Sequence, residues 1–476
     1  MSRNLLVIMS DEHQARALGC AGHPFVRTPN LDALAARGTR YTAAYTPSPI
    51  CVPARAAFAT GNYPHIIRHW DNAMPYDGRV PGWGHALQRA GIGVESIGKL
   101  HYRDEEDPVG FDAEHLPMMV AGGVGMVWAS IRSEDERVSG SERMLGRYIG
   151  PGESKYTEYD AAVVDRTVDW LAARAAQGGD AGWCLYVGLV APHFPLVVPQ
   201  EFYDLYPPGT LPEPKLHPAT GYTRHPWIEK QNANFDSEAQ FHDPDERLRA
   251  LSAYYGLCTW LDHNVGRILS GLEAAGLSDQ TTVVYTSDHG DNVGARGLWG
   301  KSNFYEESAA IPLIVARPGQ TAATCATPVS LVDLSTTIAD HFGQSLDGPG
   351  RALGQIASEP YDPGRVVFSE YHAAGAVSGA FMVRQGPWKL IWYDGFEPEL
   401  FNLDTDPEET TDLAQEPAHH AQRAQMEHLL RGICDPETVS QQAFDDQAAL
   451  IERHGGREAA LKLGAPGATP PPATGR

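Results

Sequence analysis

Two short apolar runs, far apart in the chain, end in the same way. Leu5-Leu6-Val7-Ile8-Met9 leads into Ser10-Asp11-Glu12-His13, and Thr282-Val283-Val284-Tyr285-Thr286 leads into Ser287-Asp288-His289-Gly290-Asp291. A continuous apolar, β-branched run of this length is the pattern of a strand buried on both faces, as in a parallel sheet. Parallel neighbours need helical crossovers, and the chain supplies them. Residues 159–176 carry Val164, Val168 and Leu171 on one helical face. Residues 247–272 carry Leu251, Tyr254, Cys258, Leu261, Val265, Ile268 and Leu272 at alternating three and four spacing. Thr28 is placed to cap a shorter helix that Pro29 opens and Gly38 closes, and residues 311–315 read as a further strand. The expected fold class is α/β, a large, mostly parallel central sheet flanked by helices. Both acidic clusters would then open at the sheet's carboxyl edge, where such folds place their sites.

The texture changes after residue 364. Residues 365–370, 379–384 and 388–393 read as short strands with tight connections, closed by a helix over 417–434. The expected organisation is a catalytic α/β domain over 1–364 and a C-terminal subdomain over 365–463, with a small antiparallel sheet and a helix. A Gly-, Pro-, Ala- and Thr-rich tail over 464–476 is expected to be disordered.

Charge narrows the partners. With 37 Lys and Arg against 60 Asp and Glu, the net charge is −23, so a general basic face for nucleic acid is excluded. The apolar run at residues 5–9 is too short for a secretory signal, and residues 183–198 are broken by Pro192, His193 and Pro195. The chain therefore reads as cytoplasmic, without a membrane span. Its six cysteines are scattered, with no C-x-x-C pair, so neither a disulfide framework nor a zinc ribbon is expected.

In so acidic a chain, cations gathered at one point would mark an anion site. The candidates are Lys99 and His101 in Ile97-Gly98-Lys99-Leu100-His101, His193 between Pro192 and Phe194, and Lys301 after Gly300. Each alone reads as a solvated surface group; together they make an anion pocket. Asp11, Asp288 and His289 could meet around one hard or borderline divalent cation, though each cluster alone reads equally as caps on the following turn. Cys51 stands just before Pro53, which looks like the first turn of a short helix. A thiol there is either at the positive helix end with a lowered pKa, or an ordinary buried cysteine. Arg55 lies one turn further on.

Cys51-Val52-Pro53-Ala54-Arg55, followed by Thr60-Gly61, resembles the C-x-P-x-R signature of type I sulfatases. The order of the other motifs resembles the same family: Asp11, Thr28-Pro29-Asn30-Leu31-Asp32, Gly98-Lys99-Leu100-His101, Pro192-His193, Ser287-Asp288-His289-Gly290, Gly300-Lys301, and Pro398-Glu399-Leu400-Phe401-Asn402-Leu403. The resemblance spans roughly residues 4 to 415, and it is the ordered set that makes it specific. It implies an alkaline-phosphatase-like fold. It also implies that Cys51 is oxidised to formylglycine by a formylglycine-generating enzyme. The hydrate of that aldehyde would attack sulfur or phosphorus, and its second hydroxyl would let the product anion leave. By the same resemblance Asp11, Cys51, Asp288 and His289 are metal ligands. Arg55 stabilises the hydrate, Lys99 and Lys301 neutralise the non-bridging oxygens, His193 and Lys301 protonate the leaving oxygen, and His101 assists the collapse.

Three positions set a branch within the family. Glu12 stands where many sulfatases have a second Asp, either ligating the metal or standing behind it. His289 stands where many have Asn, which moves the implied metal from calcium alone to calcium or manganese. Asn72, in Trp70-Asp71-Asn72-Ala73, resembles a substrate-contacting Asn of the choline-sulfatase and phosphonate-hydrolase branches, and reads as well as a turn Asn. Ala59 stands where Leu is common before the Thr-Gly pair.

The leading expectation is hydrolysis of a small sulfate monoester. A phosphonate monoester or phosphodiester hydrolase on the same fold is the alternative, followed by a non-catalytic binder of sulfated or phosphorylated ligands. The substrate walls would come from residues 118–154 and 203–243, where Tyr203, Tyr206, Tyr222, Trp227 and Phe235 either face a ligand or pack an insertion onto the core. A homo-oligomer is compatible with these insertions.

Overall fold

A computed structural model of the chain describes residues 3–138, 143–178, 181–465 and 468–473. Eight strands form the central sheet: β1 (Asn4–Asp11), β2 (Thr39–Tyr41), β3 (Gly93–Lys99), β4 (Ala113–Met118), β5 (Trp183–Pro192), β6 (Thr281–Ser287), β7 (Leu313–Ala316) and β8 (Ala323–Cys325). Their order is β8-β2-β7-β6-β1-β5-β3-β4. Only β7 runs against its neighbours; every other pairing in this sheet is parallel. Strand β1 lies in the middle, with Val7 between Tyr186 of β5 and Val284 of β6. Every residue of these three strands is buried, which is why they read as continuous rather than alternating apolar runs.

Period-two alternation assigns the β1 side chains to two cores. Leu5, Val7 and Met9 pack with Phe58 of helix α2 and with Leu331, Leu334 and Ile338 of a later helix. Leu6 and Ile8 pack against Val163, Leu171, Leu261, Val265 and Ile268 of the two long helices. Each such fully buried side chain contributes about 1.5–3 kcal/mol. The helices that matter most for the site and the two cores are α1 (Pro29–Ala35), α2 (Cys51–Thr60), α3 (Lys155–Gln177), α4 (Pro244–Ala274), α5 (Leu331–His341), α6 (His420–Ile433) and α7 (Pro436–Arg453). Helices α3 and α4 begin a few residues earlier than their apolar stripes. Their caps, Ser154 accepting from Thr157 N–H and Asp243 accepting from Glu246 N–H, sit upstream of the first core residue.

The second sheet is an antiparallel meander of β9 (Val366–Tyr371), β10 (Ala380–Gln385), β11 (Trp388–Tyr393) and β12 (Glu399–Asn402). Helix α6 covers one of its faces through Met426 and Leu430. Helix α7 was absent from the sequence expectation. It buries Val439, Ala443 and Leu450 among polar residues and leaves Phe444 exposed, so its apolar stripe is too thin to stand out. Of the segment expected to be a disordered tail, residues 464–465 pack against Gly125 and Trp128 and residues 468–471 line the cavity described below; 466–467 and 474–476 fall outside the described residues.

Candidate active site

The carboxyl ends of β1 and β6 are adjacent in the sheet, so Asp11 and Asp288 arrive side by side. Helix α2 points its first residue, Cys51, at them. The Cys51 thiol lies 3.6 Å from Asp11 Oδ1 and 3.2 Å from His289 Nε2. His289 Nδ1 lies 3.0 Å from the Gly290 carbonyl; a proton there leaves the Nε2 lone pair facing Cys51 and the two carboxylates. One donor atom from each of Asp11, Cys51, Asp288 and His289 lies within 4.8 Å of the others, and all four residues are buried. Two carboxylate oxygens, an imidazole nitrogen and the position-51 atom form a donor set that suits a divalent cation.

Cations surround this cluster. Arg55, one turn along α2, donates from Nε to Asp288 Oδ2 at 2.8 Å and from Nη2 to Asp11 Oδ2 at 3.2 Å. Its Nη1 donates to the Lys99 carbonyl and the Tyr186 hydroxyl, both at 3.0 Å. Lys99 Nζ is 2.6 Å from Asp11 Oδ2. Lys301 Nζ is 3.1 Å from Glu12 Oε2 and 3.3 Å from the Cys51 sulfur. Burial works against an Asp11 carboxylate, yet Lys99, His193, Lys301 and Arg55 hold its pKa well below the usual range. Glu12 goes the other way: burial dominates over Lys301 and pushes it well up. It also adopts a left-handed backbone with φ of 69°.

Cys51 corrects the expectation of a lowered thiol pKa. It is the first residue of α2, but burial and the neighbouring Asp11 push it up to about 11, past the pull of Lys301 and Lys99. A helix end supplies about half a charge, less than buried carboxylates at this distance take away. The unmodified thiol is a poor nucleophile here.

His193 sits in the turn after β5, with Nδ1 2.6 Å from the Phe194 carbonyl and Nε2 3.4 Å from Glu12 Oε2. Burial, with Lys301 and Lys99, pushes its pKa well down. Asn72 receives the Val52 N–H at 3.2 Å, which sets it against the start of α2. His101 has φ of 59° and is 5% exposed. Cys51, Asn72, Lys99, His101, His193 and Lys301 all line one cavity of 380 Å³. The structure thus brings Asp11, Glu12, Cys51, Arg55, Asn72, Lys99, His101, His193, Asp288, His289 and Lys301 together at one end of the sheet.

The sequence reading missed several supports. Asp160 on α3 accepts the Val190 and Ala191 N–H groups, each at 2.8 Å, and so fixes the His193 turn. Asp291 accepts from Val293 and Gly300 N–H and shapes the Lys301 loop. Asp71 accepts from Ala73 N–H, the Ser130 hydroxyl and the Gln447 amide, holding the Asn72 turn. Asp160 had one local signal, a carboxylate within an otherwise apolar helical stripe. Of the five aromatics singled out in residues 203–243, Tyr203, Tyr206 and Trp227 are buried, while Phe235 lines the cavity near Trp128.

Known proteins resemble the chain over most of its length. The family description "Sulfatase" matches residues 3–344, and "N-sulphoglucosamine sulphohydrolase, C-terminal" matches residues 294–435. The chain is 32% identical over 459 residues to a choline-sulfatase of Rhizobium meliloti, covering 94% of this chain and 86% of that protein. It is 28% identical to arylsulfatase K of Bos taurus, covering 86% and 78%. A phosphonate monoester hydrolase of Silicibacter pomeroyi shares the fold with a TM-score of 0.73 at 24% identity, covering 92% of this chain and 96% of that one.

Proposed function

The chain belongs to the sulfatase family, and on that footing we propose that it hydrolyses a small sulfate monoester with formylglycine derived from Cys51 as its nucleophile. The observation that carries this reading is the ring of buried cations around Cys51: Arg55, Lys99 and Lys301 converge there in a chain of net charge −23. Among the described residues lining the cavity there is no Asp or Glu, while Lys99, Arg143, Lys155 and Lys301 all contribute to its wall. An anionic ester is the ligand such a cavity favours.

Asp11, Asp288, His289 and residue 51 would hold a divalent cation, calcium or manganese, which when bound makes a hydroxyl on residue 51 more acidic and offsets the charge of the ester. Formylglycine supplies, as its hydrate, one hydroxyl to attack sulfur and a second that allows release of inorganic sulfate. The chain's own groups do the rest. Arg55, tied to Asp11 and Asp288, fixes their ligand faces and sits below residue 51. Lys99 and Lys301 bind the non-bridging oxygens of the ester, in a buried setting where such contacts are strong. His193 Nε2 and Lys301 Nζ face one another across Glu12; Lys301, kept charged against burial by residue 51, Glu12 and Asp11, delivers the proton to the leaving oxygen, while His193 presents its unprotonated Nε2 beside it. Asn72 contacts the ester from the start of α2. Trp128, Phe194, Phe235 and Trp299 give the leaving alcohol apolar faces, while Asn232 and Asn234 offer amides.

The test is kcat/KM for choline sulfate, an aryl sulfate and an aryl phosphonate monoester on one metal-loaded preparation. Formylglycine is confirmed there by loss of about 18 Da from the unhydrated Cys51 peptide. Sulfate turnover that Cys51→Ala abolishes is expected. Full sulfate turnover in Cys51→Ala would refute the nucleophile, and a ratio favouring the phosphonate would move the substrate to phosphonates and phosphodiesters.

A further inference from the structure

The C-terminal segment reaches the reacting groups. Gly464 lies so close to residues 125–126 that a β-carbon on it would fall 1.5 Å from the Gly125 carbonyl oxygen. Ala465 is buried, and its carbonyl receives the Trp128 indole N–H at 2.9 Å. Further on, the Thr469 carbonyl receives the Tyr156 hydroxyl at 2.5 Å, and the Thr469 hydroxyl lies 2.8 Å from His101 Nε2. Ala468, Thr469, Pro470 and Pro471 line the same cavity as Cys51 and Lys301. Ala468 also packs against two of the hydrophobic clusters beneath the pocket.

His101 needs such a partner. Its backbone is held, by N–H to the Met118 carbonyl at 2.8 Å, but its ring is not held by the catalytic domain's side chains. Nδ1 is buried with no hydrogen-bond partner among the described residues, and Thr469 is the only one of them given to Nε2. A hydrogen bond at one nitrogen fixes the rotation of an imidazole, and a hydroxyl partner serves either tautomer by donating or accepting, so the ring is held while the other nitrogen exchanges a proton. The tail's composition suits the task. Three prolines after Thr469 stiffen it, since each fixes φ, and its small residues leave room in the cavity.

We propose that residues 468–471 are a working wall of the active site and that Thr469 is a positioning residue, holding the His101 ring for the step in which the product anion is released. This rests on the sulfatase reading above. The hydroxyl is the part that acts on kcat; the wall as a whole acts on substrate fit.

The experiment compares wild type, Thr469→Val, Thr469→Ser and a chain ending at Ala465, each with confirmed formylglycine, on choline sulfate and an aryl sulfate. Thr469→Val keeps the shape and should lower kcat about tenfold with KM changed little, the size expected when a proton-transfer group loses its alignment. Thr469→Ser should recover most of that loss. Ending the chain at Ala465 keeps the Trp128 contact, and should lower kcat and also change the ratio of KM for the two esters. Wild-type kcat in both Thr469→Val and the shortened chain would overturn the proposal while leaving the sulfatase reading intact. Equal loss in Thr469→Ser and Thr469→Val would overturn the hydroxyl's role. A wild type with confirmed formylglycine that turns over no sulfate ester would overturn both readings together.

Discussion

Replacing Glu370 with Gln should weaken the join between the small sheet and the body of the protein, and do so with a defined pH dependence. Glu370 is fully buried on β9. It accepts from His65 N–H at 2.9 Å, pairs with His65 Nδ1 at 2.7 Å, and meets His372 Nε2 at 3.0 Å. Burial alone would raise its pKa, but His65 and then His372 bring it from 4.5 down to about 2. That fall corresponds to about 3 kcal/mol of stability at neutral pH. The folded pKa is depressed, so this stability is present above pH 4.5 and is lost as pH falls toward 2. Burial pushes His65 down, but Glu370 raises its pKa overall, so its share is full below the free-histidine range and fades as pH rises through the raised value. Gln keeps the shape, loses the charge and turns an amide donor toward one of the imidazoles. We expect Glu370→Gln to be about 3 kcal/mol less stable at about pH 6, or roughly 3 °C lower in melting temperature. The gap should narrow by about two-fifths at about pH 3.5 and also shrink at about pH 8.5. Guanidinium and thermal unfolding of both proteins at the three pH values measure it. A gap below about 1 kcal/mol at pH 6, or one equal at pH 3.5 and 6, would refute this account of the charge.

Three further outcomes follow from the site. Asp160→Ala leaves the Val190 and Ala191 N–H groups buried without an acceptor; it should cost about 2–4 kcal/mol in unfolding free energy and lower kcat by about ten- to a hundredfold as the His193 turn loosens. Gly188→Ala would place a β-carbon 2.0 Å from the Lys99 carbonyl oxygen, which also receives Arg55; we expect sulfate turnover to fall at least about a hundredfold, and normal kinetics in a folded variant would show that this strand can shift freely. Treatment with a chelator should abolish turnover and lower the melting temperature, with calcium or manganese restoring both; at a metal concentration about a hundred times Kd the stabilisation is about 3 kcal/mol, and an unchanged melting curve would mean that the Asp11, Cys51, Asp288 and His289 cluster holds no ion.

Much of the site was legible because its chemistry sits on local patterns. A buried strand ending in Asp reads the same wherever it occurs, and β1 and β6 repeat it. The Cys51–Arg55 spacing is one helical turn, so the proposed nucleophile position and its cation come as a unit. The two long helices were legible from their stripes, short only by the capping turn upstream. Helix α7 was not, since three apolar contacts in a polar helix make no period.

What the sequence could not carry were groups that act across distance. Asp160 serves the His193 turn thirty residues away through two backbone N–H groups, which any sequence possesses. The Cys51 pKa depended on burial and on which carboxylate lay nearest, so the helix-end argument pointed the wrong way. The Gly- and Pro-rich end read as a tail by composition, yet the placement of Thr469 against His101 rests on contacts with Trp128 and Tyr156 that no local signal announces. The sequence by itself determined the sheet, the sulfatase family and the candidates for the reacting groups, because each is written in residues close together in the chain. The tertiary structure alone decided which carboxylates face which cations, how the imidazoles are held and what walls the cavity, because charge, burial and hydrogen bonding depend on distance in space.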